Sequence, residues 1–202
     1  MNNAPIKARF KLLAVGVGGQ GVLTATRLIG EAALAAGLEV MVGQLHGMSQ
    51  RGGSVSSTVL IGPGRSSFIA DGQADVVLGL EPLEVLRALP KMAPCTKVVV
   101  NLGRVMPFTL AAQGKSYPDL AEVLAAIRAA APLMYEVDGS AALGKSNDAQ
   151  SLNVFMLGAL AGLKVLPFAE ELLSGAIEKR SPKKSLERNR QAFALGKESV
   201  NK

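Results

Sequence analysis

The apolar run FKLLAVGV, residues 10–17, leads directly into a glycine cluster, Gly16, Gly18, Gly19 and Gly21, with Gln20 among them. A segment follows in which Val22, Ala25, Ile29, Ala32, Ala33 and Ala36 fall on one broad helical face, and Gly37 closes it. A buried strand, a tight turn and an amphipathic helix in such close succession restrict the chain to layered α/β architectures, in which the helix packs back onto the sheet that the strand enters. The next run, LEVMVG, predicts a second strand, and the shortness of the connection predicts that it lies parallel beside the first through a right-handed crossover.

The rest of the chain continues this alternation. GQLHGMSQRGGS, residues 43–54, is too polar and glycine-rich for the interior of an element. In the following strand Val55, Ser57, Val59 and Ile61 alternate with Ser54, Ser56, Thr58 and Leu60. Its hydroxyl-bearing side suits water or another subunit better than a dry core. ADVVLGL predicts a buried strand, Pro82 opens the helix PLEVLRAL, and KVVVN is the next strand. A helix from Pro118 to about Ala130 and a strand in LMYEV follow, and the remainder is largely helical. KRSPKKS, residues 179–185, predicts a hinge before a helical extension over about 181–202, placed to grip a partner. The expected fold is one α/β domain over 1–202, a mostly parallel sheet with helices on both faces, Rossmann-like, with that helical C-terminal extension.

Composition narrows the function classes. Apolar residues make up 49% of the chain and aromatics only 4%, so the core is aliphatic. Cys95 is the only cysteine and His46 the only histidine, too few for an internal disulfide, a structural zinc or an iron–sulfur cluster, and a reducing cytoplasm is the expected compartment. Lys7, Arg9 and Lys11 precede LLAVGV in the manner of a signal peptide, but that run breaks at Gly18, and a buried strand explains it better. VFMLGALAGL is about half of the ~20 residues that span a bilayer, so a soluble protein with no membrane contact is expected. Of the net charge of +6, much lies in Lys179, Arg180, Lys183, Lys184, Arg188 and Arg190. Such a cluster is either a solvated face or a seat for an acidic protein surface or phosphate; nucleic acid is not expected, since no aromatic residues interleave it.

Gly16, Gly18 and Gly21 satisfy G-x-G-x-x-G, whose glycines serve a tight turn, close approach of a phosphate and helix–strand packing. The same spacing also occurs for packing alone. A nicotinamide enzyme needs an acidic residue at the end of the second strand to hold the ribose, but Val42, Gly43 and Gln44 stand there, and Glu39 lies at the opposite end. In the loop before the third strand, Ser49, Gln50, Arg51, Gly52 and Gly53 would emerge beside the glycine turn, with Arg51 offering a planar fork for carboxylate or phosphate. His46 has no nearby carboxylate in sequence to orient it and is expected to be a hydrogen-bonding loop residue, not a general base.

GVGGQGV after the first strand and GMSQRGGSV before the third together resemble the gamma-type domain of the 2-oxoacid:ferredoxin oxidoreductases, its indolepyruvate branch in particular. ADVVLGLEPLEVLRAL, with Glu81, Pro82, Glu84 and Arg87, is similar to the next segment of that family, and NVFMLGAL and ERNRQAFALG to its C-terminal half. The resemblance implies an accessory subunit, inactive alone, of a complex that decarboxylates arylpyruvates oxidatively to aryl-acetyl-CoA and passes electrons to ferredoxin. It implies that a large alpha subunit carries thiamine diphosphate and iron–sulfur clusters, with CoA on or shared with that partner, and that this chain binds no cofactor alone. It leaves a homodimer open in isolation. Gly16, Gly18, Gly19, Gln20, Gly21, Ser49, Gln50, Arg51, Gly52 and Gly53 are then the residues expected to face CoA or the partner, with no catalytic residue and no metal ligand in this chain. Two other readings stay open from the residues themselves: an NAD(P)-dependent Rossmann dehydrogenase and a non-catalytic nucleotide-binding scaffold.

Overall fold

Strand β1 (Phe10–Val17) and helix α1 (Val22–Ala35) form where the apolar run and the helical period place them, but the strand that follows α1 does not pair with β1. The computed structural model describes residues 9–46, 52–146 and 148–200. In it β2 (Val40–His46) is the edge of a six-stranded sheet of order β2-β3-β1-β4-β5-β6, and β3 (Ser54–Ile61) is inserted between β2 and β1. β3 runs antiparallel to both neighbours, pairing Val17 with Ser54 at one end and Phe10 with Ile61 at the other. β1 and β2 therefore share a direction without touching, and the expected adjacent parallel pair is corrected. The cause is the antiparallel pairing of β3 with both strands, which occupies the edge through which β2 would otherwise meet β1.

On its other side β1 is parallel to β4 (Val76–Gly79), which is parallel to β5 (Lys97–Asn101) and that to β6 (Met134–Val137). Between these strands lie α2 (Pro82–Arg87), the short α3 (Phe108–Ala112) and α4 (Leu120–Ala130). Pro82 opens α2 as expected, whereas α4 starts two residues after Pro118 because Asp119 caps it, accepting from the N–H groups of Ala121 and Glu122. After β6 come α5 (Gly139–Leu143), α6 (Ala149–Gly162), α7 (Glu170–Arg180) and α8 (Leu186–Ser199). Helices cover both faces. Leu12, Ala14, Val59, Ile61, Leu78 and Val99 pack under α1, α6 and α7 on one side, while Leu13, Val15, Val77, Val98 and Val100 pack under α2 and α4 on the other.

Helix α6 is buried along its whole length from Ser151 to Ala161, which is why its sequence is apolar all round. Among the described residues no helix is long and apolar enough to cross a membrane. The C-terminal extension folds back onto α6 at glycine contacts: a Cβ on Gly158 would lie 2.2 Å from the Phe193 carbonyl oxygen, and one on Gly196 would lie 1.9 Å from that of Phe155. Three arginines of the basic cluster are engaged within the fold, Arg180 Nε with Glu31 at 3.0 Å, Arg188 with Asp148 at 2.8 Å and Arg190 with Glu178 at 2.8 Å. Lys179, Lys183 and Lys184 remain exposed.

Candidate functional site

At the carboxyl ends of the parallel strands, β1 turns into α1 on one face and β4 into α2 on the other, which makes this the switch point where open α/β sheets bind ligands. Gln20 folds back into this point. Its Oε1 accepts from the Val17 N–H at 2.8 Å and its Nε2 donates to the Leu80 carbonyl at 3.1 Å. Asn101 Nδ2 donates to the same carbonyl at 3.1 Å, and Asn101 Oδ1 accepts from the Gly139 N–H at 3.0 Å. The ends of β1, β4, β5 and β6 are thus cross-linked by two carboxamides.

The glycines divide by role. A Cβ on Gly16 would come within 2.9 Å of both Gln20 Oε1 and Val22 Cγ2, so this glycine admits the Gln20 side chain and the first turn of α1. Gly21 caps α1 at φ +81°, and a Cβ there would lie 1.9 Å from Nδ2 of the buried Asn153 on α6. Gly19, at φ +104°, is exposed with nothing within 4 Å of where a Cβ would be. Gly18 joins the two glycine stretches: its N–H donates to the Gly53 carbonyl at 2.8 Å, and its carbonyl accepts from the Gly52 N–H at 3.3 Å. The structure therefore brings Gly16–Gly21 and Gly52–Gly53 together as a continuation of the β1–β3 ladder. Ser49, Gln50, Arg51 and the side chain of His46 lie outside the described residues. Glu39 stays at the far end of β2, its carbonyl accepting from Gly62 at 2.8 Å.

One element of the site escaped sequence reasoning. Glu81, wholly buried at the start of α2, accepts hydrogen bonds from the Tyr117 hydroxyl at 2.6 Å, the Glu84 N–H at 3.2 Å and the Val105 N–H at 3.3 Å. It ties both ends of the segment 105–117 to the carboxyl edge, leaving Val105 and Met106 exposed beside it. An acidic cap directly before a proline at the first helical position was the available signal, but its partner stands 36 residues away. Burial raises the Glu81 carboxyl above its ordinary value near 4.5, opposed by the Tyr117, Val105 and Glu84 hydrogen bonds. Burial and then the Glu81 contact push the Tyr117 hydroxyl upward, which keeps it a donor.

A carboxyl raised in the folded state adds stability that is complete below 4.5 and is lost as pH rises through the folded value. Glu81→Gln removes that titration while sacrificing one acceptor at the cap, at a cost of about 1 kcal/mol. The melting temperature of wild type minus that of Glu81→Gln should therefore decrease as pH rises above 4.5. Thermal melts across pH check this, and parallel curves would contradict it.

Among the described residues no group of three or more His, Cys, Asp or Glu is disposed to hold a metal ion, and Cys95 is exposed. A lone thiol does not fit an iron–sulfur cluster. What the site offers is backbone without side chains: the exposed Gly19, beside the half-buried Gly52 and Gly53 that are paired with Gly18.

Comparison with known proteins identifies the family. The sequence profile of the pyruvate ferredoxin/flavodoxin oxidoreductase family matches residues 11–199. The chain is 37% identical over 187 residues to the indolepyruvate oxidoreductase subunit IorB of Methanothermobacter thermautotrophicus, covering 93% of this chain and 95% of that one. It is also 37% identical over 188 residues to the IorB subunit of Archaeoglobus fulgidus, covering 93% and 94%. Among solved structures, the pyruvate oxidoreductase subunit PORC of Thermotoga maritima has the same fold, with a TM-score of 0.70 at 22% identity over 96% of this chain and 98% of that one. So has part of the 2-oxoglutarate:ferredoxin oxidoreductase of Magnetococcus marinus, with a TM-score of 0.71 at 22% identity over 96% of this chain and 31% of that one. The chain belongs to the pyruvate ferredoxin/flavodoxin oxidoreductase family.

Proposed function

We propose that this chain is the accessory subunit of an indolepyruvate or arylpyruvate:ferredoxin oxidoreductase. In the reaction the arylpyruvate loses its carboxylate as CO2, the remaining acyl group forms a thioester with CoA, and the two electrons released pass to ferredoxin. The observation that carries this reading is identity of 37% to an indolepyruvate oxidoreductase subunit along 93% of this chain and 95% of the relative, so the likeness is not confined to a glycine motif.

A large partner subunit would hold thiamine diphosphate, which supplies the carbanion chemistry of decarboxylation, and the iron–sulfur clusters that relay electrons. This chain's residues would complete the assembly. Gly18, Gly19, Gly52 and Gly53, with Ser49, Gln50 and Arg51, would form the face presented to CoA or to the partner, since backbone without Cβ atoms allows close approach. Gly16, Gln20 and Gly21 would hold that face in shape through the contacts described above. A dehydrogenase reading is less well supported, because β2 ends without an acidic ribose partner. Affinity capture of the chain from its native source tests the proposal: a large chain bearing thiamine diphosphate and iron should accompany it. Capture of the chain with no such partner, together with tight NAD(P) binding, would overturn it.

A further inference from the structure

On the α2 side of the sheet, beside β3, lies a cavity of about 400 Å³. One wall is the row Ser54, Ser56 and Thr58 on β3, the facing wall is Glu84 and Arg87 on α2, and Phe68 stands at the mouth above a floor that includes the buried Leu13 and Val15. The row is unlike the rest of its strand. The opposite face of β3 carries Val55, Val59 and Ile61 against α1, and even on the cavity face the chain returns to a buried Leu60 one step beyond Thr58.

The charged groups are built in. Glu84 is only 2% exposed, yet its carboxylate accepts from the Ser54 hydroxyl and from Arg87 at 2.6 Å while lining the cavity. A carboxylate has about four acceptor positions, so these two donors leave it able to accept from a ligand's hydroxyls. The Arg87 side chain is 47% exposed, and a guanidinium presents further N–H groups to an incoming anion. Phe68 is 65% exposed, and Lys91 Nζ, 4.6 Å from its ring centre, holds it at the rim.

We propose that this cavity binds a nucleoside phosphate, with the ribose hydroxyls on Glu84 and the Ser54–Thr58 row, the phosphate on Arg87 and the base against Phe68. An acidic side chain for ribose hydroxyls and an arginine for a ribose phosphate are the two devices with which α/β proteins hold the ribose of a nucleotide. Bases stack on exposed aromatic rings with little regard to sequence. The volume lies within the usual range for small-molecule sites. The site lies across the sheet from α1, and it does not depend on the assignment of the chain to an oxidoreductase complex. The nucleoside phosphate is either a free nucleotide or the nucleotide end of a larger cofactor.

Calorimetric titration of the full chain with adenosine, 5′-AMP, 3′-AMP, NADP and CoA tests the proposal, with amide NMR shifts reporting the place of binding. One molar equivalent of an adenosine phosphate should bind and shift Ser54, Ser56 and Thr58. Phe68→Ala should weaken it roughly tenfold, and Arg87→Lys, which keeps the charge beside Glu84, should weaken the phosphates more than adenosine. Phe68→Ala should melt as wild type does because its ring is at the surface, and Arg87→Lys because it keeps a cation beside the buried Glu84. Tighter binding of CoA or NADP than of either AMP, with the same sensitivity to both variants, identifies a cofactor's nucleotide end; equal binding identifies a free nucleotide. Absence of binding by every nucleotide, binding indifferent to both variants, or shifts of the row only on adding a partner protein would overturn it. CoA binding that is indifferent to both variants rejects this cavity while leaving the proposed function intact.

Discussion

Gly196→Ala is expected to lower the stability of the fold by roughly 3 kcal/mol, near the upper end for overpacking, and the melting temperature by about 6–12 °C. A methyl group there would meet the Phe155 carbonyl oxygen at 1.9 Å and the Ala159 nitrogen at 2.9 Å, both backbone atoms of α6 that no rotamer change can move. The two helices would have to separate, and with them Gly158 would lose its seat against the Phe193 carbonyl. Gly175→Ala is the control. It lies exposed inside α7 with nothing within 4 Å of the added atom, so it should stabilise by about 0.5–1 kcal/mol through helix propensity alone. Denaturant unfolding of both variants separates a packing penalty from a propensity effect, and equal behaviour would contradict the interhelical contact.

Gly21→Ala should be nearly as damaging, for two separable reasons. The residue caps α1 at φ +81°, where a side chain costs about 1–2 kcal/mol, and its Cβ would meet Asn153 Nδ2 at 1.9 Å. We expect a total loss of about 3 kcal/mol, the collision adding the 1–3 kcal/mol typical of overpacking. In an Asn153→Ala background the collision disappears, and the penalty of Gly21→Ala should shrink to about 1–2 kcal/mol, the backbone component alone. A double-mutant cycle measures this coupling directly. Asn153 Oδ1 is buried without a hydrogen-bond partner among the described residues, so Asn153→Ala also relieves an unsatisfied acceptor and should itself cost little. Equal penalties for Gly21→Ala in the two backgrounds would show that the contact has no energetic weight.

How far the sequence went toward these contacts follows from their range. β1, α1, β4, α2 and β5 are local patterns, since an apolar run or a helical period needs only its own neighbours, and each formed as its pattern required. The position of β3 was not local. Its alternation identifies a strand and its hydroxyl side, but nothing in the alternation says which strands flank it, and the backbone ladder with β2 decided that. In the glycine turn the spacing was plain, yet the division of labour depended on Leu80 and Asn153, 59 or more residues beyond Gly21. Glu81 and Tyr117 illustrate the same limit. Glu81 before Pro82 signalled a cap, but Tyr117 as its partner was not legible until the fold placed a hydroxyl 2.6 Å from a buried carboxylate.

The proposed accessory role means that this chain has no turnover of its own and is required by a larger partner. Its most direct test is arylpyruvate-dependent and CoA-dependent reduction of ferredoxin or a dye, measured with the chain alone, with the large thiamine diphosphate and iron–sulfur subunit alone, and with both. No turnover is expected in the first, little in the second and full rates in the third. Full turnover by either chain without the other would contradict it.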